Sequence, residues 1–215
     1  MKNKQEYLND LAEIRSIMKR SSRFLSLSGL SGIFAGVIAL GGGILAWWYL
    51  KETGFLTGEE IFISSDNFMT HVRNFLFIDG LLVLVLALIS AVFFSWLQAK
   101  KKGLVLWDYT TQRVLISLGI PLLSGGIFLI VLMIHNQLYL IAPLTLLFYG
   151  LALLNAGNYT QSEVRYLGYM QVFLGVLAAI FLNYGLYFWI FGFGILHIVY
   201  GVFMYWKYDM QGAEG

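Results

Sequence analysis

VLISLGIPLLSGGIFLIVLMIHNQLYLIAPLTLLFYGLALLNAGNYTQS, from Val114 to Ser162, contains no Lys, Arg, Asp or Glu. A membrane-spanning helix needs about 20 predominantly apolar residues. This stretch therefore has room for two such helices joined by a short turn. Three further stretches lack charge in the same way, namely Phe24–Leu50, Gly80–Ala99 and Tyr166–Trp206. Because the last is also long enough for two helices, the sequence predicts six transmembrane helices.

The composition favours one membrane domain. Of the 215 residues, 59% are hydrophobic and 12% are charged, whereas about 25% of the residues of a soluble domain are charged. Six helices use most of the chain and leave no length for a soluble catalytic domain. The absence of cysteine excludes disulfides, thiolate metal sites and cysteine nucleophiles. A net charge of +2 gives no reason to expect nucleic acid as a partner.

The predicted fold is all-α and polytopic, with the six helices arranged as three hairpins and both termini in the cytoplasm. We expect the transmembrane domain to occupy residues 25–206, followed by a cytoplasmic tail at residues 207–215. The predicted spans are residues 25–50, 75–97, 114–134, 138–154, 167–182 and 186–206.

Basic residues set the predicted orientation. A model with the N-terminus inside places 12 of the 14 Lys and Arg residues on the cytoplasmic side and leaves only Lys51 and Arg73 outside. Cytoplasmic loops of membrane proteins carry such an excess of basic residues. We therefore expect an integral protein of a membrane such as the bacterial inner (plasma) membrane.

Residues 1–24 are expected to form an amphipathic helix on the cytoplasmic membrane surface. Four basic side chains there would contact anionic lipid headgroups, each contributing about 1 kcal/mol; they are Arg15, Lys19, Arg20 and Arg23. The alternative is a solvated helix that covers one end of the bundle.

A glycine pattern suggests that one hairpin is repeated three times. The first, third and fifth predicted helices each carry two glycines seven residues apart, which places both on one face; the pairs are Gly29/Gly36, Gly119/Gly126 and Gly168/Gly175. Small residues let helices approach closely in lipid. With 23 glycines in the chain, coincidence is the alternative explanation.

Two of these glycine-rich stretches carry a family resemblance. Gly119-Ile-Pro-Leu-Leu-Ser-Gly-Gly-Ile-Phe-Leu-Ile and Gly194-Ile-Leu-His-Ile-Val-Tyr-Gly-Val-Phe resemble the HdeD-like acid-resistance membrane proteins, which are six-span proteins built from glycine-punctuated hairpins. The resemblance covers about the last 100 residues and implies a topology but no residue roles. The amphipathic N-terminus and the acidic first loop depart from that family.

Few polar side chains lie within the predicted spans, and they form the candidate site. The candidates are His197, Gln171, Asp79 and Ser124. Ionisable groups inside a membrane are costly and often functional. His197 either makes a structural helix–helix hydrogen bond or serves in proton relay, pH sensing or ligand binding. The candidate bonding partners are Gln171, Tyr149, Tyr200 and Ser124.

The remaining polar positions have more than one interpretation. Asp79 reaches the outer interface, lines an outward vestibule, or pairs with Arg73 or His135. Pro121 is expected either to be tolerated in the third span or to kink it. A polar cluster near the end of the fourth span is expected to cap helix ends; it consists of Asn155, Asn158, Thr160 and Gln161.

No metal site, cofactor or catalytic motif is expected. The sequence lacks His-Glu-x-x-His, Gly-x-Ser-x-Gly and a phosphate-binding loop. The leading prediction is a non-enzymatic integral membrane protein that senses, regulates or scaffolds, with lipid and either a second copy or another protein as partners. The alternative is a small channel or transporter lined by His197, Gln171, Asp79 and Ser124. A membrane-embedded enzyme that uses Asp79, His197 and tyrosines is the third possibility.

Overall fold

The computed structural model describes residues 28–56, 66–101, 103 and 107–210, and every regular element in them is helical. Six helices are long and apolar enough to cross a membrane, which confirms the all-α class and the number of spans. The helices are α1 Gly29–Glu52, α2 Asp66–Lys101, α3 Tyr109–Ile134, α4 Ile141–Ala156, α5 Ser162–Ile180 and α6 at residues 185–210. The predicted N-terminal helix, with Arg15, Lys19, Arg20 and Arg23, lies outside the described residues.

Helix α2 is longer than predicted. It begins at Asp66 rather than near residue 75, and its 36 residues make it about 54 Å long at 1.5 Å per residue. It ends at Lys101, beyond the predicted end of the span at residue 97, and Gly103 has a positive φ of 63° that does not continue a right-handed helix. The sequence prediction began this helix only where the charged residues of the first loop end. Charged residues can also be helical outside the hydrocarbon, so the helix begins earlier than the apolar segment.

Helix α6 changes its winding along its length. It consists of the α-helical segments Gly185–Trp189 and His197–Met204 and the π-helical segments Ile190–Leu196 and Tyr205–Met210. A π-helical turn takes i→i+5 hydrogen bonds and so contains more residues than an α-turn. Such turns are frequently found at functional sites.

The helices pack in a definite order. α2 packs on α1, α1 on α6, α6 on α5, α5 on α4, and α4 on α3. The first segment of α6 also contacts α4. Helices α2 and α3 are consecutive in sequence, but they stand at opposite ends of this packing order. Helix α6 lies in the middle of it, between α1 and α5.

Glycines bring α1 and α6 into backbone contact. A Cβ atom on Gly32 would lie 3.0 Å from Cα of Gly201, and one on Gly36 would lie 2.7 Å from the carbonyl oxygen of Gly194. Both distances are shorter than an ordinary van der Waals contact. A Cβ on Gly29 would likewise lie 2.5 Å from the Gly201 carbonyl oxygen, so both members of the first predicted pair, Gly29 and Gly36, face α6.

The other two glycine pairs behave differently. Gly168 packs on the backbone of α4, where a Cβ would lie 3.0 Å from the Gly150 carbonyl oxygen, and Gly175 packs beside Leu147 of α4. By contrast, a Cβ on Gly119 or Gly126 would meet no atom within 4 Å in the described part of the chain. Two of the three pairs thus mediate helix packing.

Candidate functional site

The central feature is a polar cluster between α4, α5 and α6. We call it the His197 cluster; it consists of His197, Tyr149, Gln171 and the backbone carbonyl of Gly192. Gln171 has no exposed surface and His197 is 6% exposed. Helix α6 contributes two members, while α4 and α5 contribute one each.

Both ring nitrogens of His197 have protein partners. Nδ1 lies 2.9 Å from the Gly192 carbonyl oxygen, and Nε2 lies 2.8 Å from Oη of Tyr149. Because a carbonyl oxygen can only accept, Nδ1 must carry the hydrogen, and Nε2 of the neutral ring then accepts from the Tyr149 hydroxyl. The contacts thereby assign the tautomer of the neutral imidazole.

The Gly192 carbonyl is the shared acceptor of the cluster. Nε2 of Gln171 donates to it over 2.8 Å and lies 3.4 Å from Nδ1 of His197. Gly192 belongs to the π-helical segment and is five residues before His197, so the wide turn brings this carbonyl and the imidazole together. A side chain at residue 192 would collide with Gln171, because a Cβ there would lie 2.7 Å from Oε1 of Gln171.

Aromatic rings enclose the imidazole. The ring of Phe193 stacks on that of His197 with a centroid distance of 5.8 Å, and the Tyr149 ring lies 5.3 Å away. Trp189 packs in turn on Phe193, at 4.9 Å. This surrounding is apolar, so the hydrogen bonds of the cluster lie in a medium of low dielectric constant.

Two polar atoms near the cluster have no partner among the described residues. They are Oε1 of Gln171 and Oη of Tyr200, and both are fully buried. Tyr200 is one turn beyond His197 on α6, and its ring lies beside Gly32 of α1. Buried polar groups are nearly always bonded to protein or ordered water, so these two atoms need an explanation.

The structure brings together two of the four predicted site residues, His197 and Gln171. Of the expected partners of His197, Tyr149 makes a hydrogen bond and Gln171 shares the acceptor, but Tyr200 does not contribute its hydroxyl to the ring. Ser124 lies elsewhere on α3, exposed, where its hydroxyl donates 2.8 Å to the Ile120 carbonyl of its own helix.

Asp79 lies at the interface between α2 and α1, away from the His197 cluster. Its carboxylate oxygens are 3.5 and 3.6 Å from the position of a Cβ on Gly42. Gly194 and Ile198 of α6, on either side of His197 in sequence, contact α1 at Gly36, which is six residues before Gly42 and so about 9 Å away along the helix. No hydrogen bond or ion pair to Asp79 occurs within the described residues. Arg73 donates instead to Asn136, at 3.1 Å, and to Thr70.

Pro121 lies inside a continuous α3, and the bond it removes is replaced from α4. Proline has no amide hydrogen, so the carbonyl four residues earlier, that of Ser117, loses its helical donor. Nδ2 of Asn155 donates to this carbonyl over 2.9 Å.

Of the remaining polar residues near the end of α4, Asn158 and Thr160 do bond the last carbonyls of that helix. Gln161 precedes α5 without a side-chain capping bond.

A second polar group, which the sequence reasoning missed, lies at the end of the bundle where α1 begins. We call this the Asp209 end. The Asp209 carboxylate accepts from Ser28 Oγ at 3.1 Å, from the Gly29 amide at 3.0 Å and from Gln98 Nε2 at 2.7 Å. One carboxylate thereby joins α6 to the start of α1 and to the last turn of α2. Its negative charge interacts favourably with the positive N-terminal end of the α1 dipole.

A third group, the Glu163 cluster, lies at the same end between α5 and α6. Glu163 forms an ion pair with Lys207 and accepts a hydrogen bond of 3.0 Å from Tyr208 and one of 3.2 Å from Ser162. The sequence assigned residues 207–209 to a tail because charge marks the end of the apolar run. Their helical spacing from His197 and Tyr200 was the signal that they continue α6.

The residues that the structure describes contain no group of three or more His, Cys, Asp or Glu side chains able to hold a metal ion. Comparison of the chain with protein-family models, with curated proteins and with solved structures finds no match. The resemblance to HdeD-like proteins stays a prediction.

Proposed function

We propose that this chain is a non-enzymatic integral membrane protein that senses, regulates or scaffolds within the bilayer. The observation that carries the proposal is the environment of His197. Both ring nitrogens bond to protein atoms, and aromatic side chains cover the ring. A side chain that lined an open pathway would leave polar atoms facing water. The arrangement favours a buried cluster that holds α4, α5 and α6 in fixed positions relative to one another, as a sensor or scaffold requires.

The proposed topology is three hairpins with the Asp209 end in the cytoplasm. The distribution of described basic residues supports it: five of them lie toward the Asp209 end and two toward the other. The first group is Lys100, Lys101, Arg113, Arg165 and Lys207, and the second is Lys51 and Arg73. The excess of basic residues at one end is the pattern of cytoplasmic loops.

Single-cysteine labelling tests this topology, and the cysteine-free chain needs no background substitutions. In intact bacterial cells, a membrane-impermeant maleimide is expected to label Lys51→Cys and leave Lys100→Cys unlabelled. Disrupting the membrane should expose both. Labelling of Lys100→Cys in intact cells, with Lys51→Cys protected, would reverse the proposed orientation.

Flux measurements test the functional proposal itself. Proteoliposomes that contain the full chain are expected to move neither protons nor Na⁺, K⁺ or Cl⁻ faster than empty vesicles. Flux in the wild type that disappears in His197→Ala would refute the sensing and scaffolding proposal. Thr145→Ala is the matched control, because its hydroxyl bonds only within α4.

The alternative is a small channel or transporter, and Asp79 is the observation that favours it. This carboxylate lies within a span, faces α1 and has no bonded partner among the described residues. Intramembrane carboxylates of this kind often mark ion pathways. If the alternative holds, Asp79→Asn should abolish a flux that the wild type shows.

A further inference from the structure

Helix α2 has an exposed face on the side that points away from α1. Phe94 marks the side that meets α1, because its ring stacks on that of Phe34 with a centroid distance of 4.6 Å. Successive residues of an α-helix are turned by about 100°, so Val92 and Trp96 lie about 160° around the helix from Phe94. Val92 is 63% exposed and Trp96 is 47% exposed. This face of α2 is therefore directed away from the bundle.

A groove of about 480 Å³ runs along this exposed face. Its volume is within the range of about 300–1,000 Å³ that is typical of small-molecule pockets. Leu88 and Trp96 mark its two ends and are about 12 Å apart along the helix, which is close to the hydrocarbon depth of one leaflet. The lining consists of aliphatic and aromatic side chains from α2, namely Leu88, Ile89, Val92, Phe93 and Trp96.

A cationic side chain lies at one end of the groove. Nζ of Lys100 is 5.4 Å from the centroid of the Trp96 ring, one helical turn beyond the last lining residue. Lys100 is exposed and forms no ion pair with a described carboxylate, and the adjacent Lys101 is exposed as well. Because Lys100 is the first charged residue after Asp79, it marks the level at which α2 leaves the hydrocarbon. Basic side chains at this level attract anionic headgroups.

We propose that this groove binds one anionic phospholipid from the leaflet at the Asp209 end of the bundle. One acyl chain lies along the lining from Leu88 to Trp96, and the phosphate contacts the ammonium group of Lys100. The order of the groups along α2 supports this occupant, because an apolar wall, an indole and a cation follow one another as do the acyl chain, the ester region and the phosphate of a lipid. Tryptophan is enriched at this interfacial level of membrane proteins.

A second copy of the chain fits the same face less well. In a two-fold dimer the same patch of both subunits meets at the interface. Contact through the groove would bring Lys100 and Lys101 of the two copies close together, and like charges repel each other. A phospholipid instead supplies the opposite charge. The inference goes beyond the proposed function and holds for a sensor, a scaffold or a transporter.

Native mass spectrometry of the full chain in a mild detergent tests the site. The probes are phosphatidylglycerol, which is anionic, and phosphatidylcholine with the same acyl chains, which has no net charge. The first molecule of phosphatidylglycerol is expected to bind about fivefold more tightly, the effect of one basic side chain near an anionic headgroup. Equal affinities for the two lipids would overturn the proposal.

Lys100→Gln is expected to lower the affinity for the first phosphatidylglycerol by about fivefold and to leave phosphatidylcholine binding unchanged. Lys51→Gln is the matched control. Helix α1 has the same arrangement at the opposite end of the bundle, with Nζ of Lys51 at 5.1 Å from the Trp47 ring, but the Trp47 indole donates to Oη of Tyr187 over 3.0 Å. The control should bind both lipids as the wild type does. Equal losses in the two variants would reduce the effect to the general attraction of any surface lysine and would refute the site.

Val92→Trp tests the groove without changing the charge. The larger side chain fills the space between Leu88 and Trp96, so it should lower the affinity for phosphatidylglycerol severalfold although Lys100 is present. Ile116→Trp, at a 58% exposed position on α3, should have no effect. Wild-type affinity in Val92→Trp would contradict the proposal.

The same spectra report on a second copy as the occupant. A dimer that Val92→Trp dissociates and that added phosphatidylglycerol leaves intact would show that the groove is a subunit interface, and this would overturn lipid binding. The measurement involves neither flux nor signalling. The lipid result and the flux result can therefore fail independently of each other.

Discussion

At the scale of single residues, Asn155 shows how a polar side chain compensates a backbone defect. Pro121 deprives the Ser117 carbonyl of its helical donor, and the Asn155 amide replaces it from the neighbouring helix. The sequence located the proline and the asparagine but not their relation. They are 34 positions apart, and only the packing of α4 on α3 brings the two sites together.

Asn155→Ala is expected to lower the free energy of unfolding by about 1 kcal/mol, the usual worth of a hydrogen bond between membrane helices. In a Pro121→Ala background the restored amide hydrogen satisfies the Ser117 carbonyl, so the same substitution should cost less. Reversible denaturation in mixed micelles measures all four members of this cycle. Equal costs in the two backgrounds would contradict the compensating role.

The partners of His197 were partly predictable from the residues alone. So few polar groups occur in the spans that Tyr149 and Gln171 were among the candidates. Two features could not be derived. The Gly192 carbonyl is a backbone atom with no signal in the sequence, and the π-helical turn that presents it has the same apolar residues as an α-helix. Ser124 was a candidate only because the sequence does not show which face of α3 meets α4.

At the scale of helices, glycine marks the places where two backbones approach closely. Charge spacing was sufficient to predict the six spans, because the cost of burying charge in hydrocarbon is large. It was insufficient at the start of α2, where polar residues continue a helix outside the apolar segment. It also gave no order of packing, which depends on the shapes of facing surfaces.

Gly150→Ala is expected to separate α4 from α5. Its Cβ would lie 2.7 Å from the Val172 backbone nitrogen and 2.9 Å from the Gly168 carbonyl oxygen. Overpacking of this kind costs about 1–3 kcal/mol, which denaturation in micelles would register. Gly126→Ala is the control, because no described atom lies within 4 Å of its Cβ. That control should be neutral or slightly stabilising through its higher helix propensity. Similar losses in both variants would argue against the packing explanation.

At the scale of the whole molecule, the last described turn of α6 holds one end of the bundle together. Asp209 bonds to Ser28 and Gly29 of the first helix and to Gln98 of the second. The sequence reasoning treated this residue as part of a tail. Its role depends on contacts between positions that are 111 to 181 residues apart, which no local pattern encodes.

Asp209→Ala removes an acceptor shared by three donors and is expected to lower the free energy of unfolding by about 2 kcal/mol, because hydrogen bonds to charged groups are stronger than neutral ones. Amide exchange at the start of α1 should increase in the same variant. Glu52→Ala, at the exposed opposite end of α1, should change neither quantity. A fully stable Asp209→Ala protein would show that the ends of α1, α2 and α6 are held by other contacts.

The length of α2 has a mechanical consequence. A helix of about 54 Å crosses a hydrocarbon layer of about 30 Å, so its inclination can follow the thickness of the surrounding lipid. Helix α2 packs mainly on α1. Near its two ends it is hydrogen-bonded through Arg73 to Asn136 and through Gln98 to Asp209, so a change in its inclination would strain both hydrogen bonds. Bilayer thinning or stretching would thus act on the Asp209 carboxylate through a rigid rod, without any ligand entering the protein.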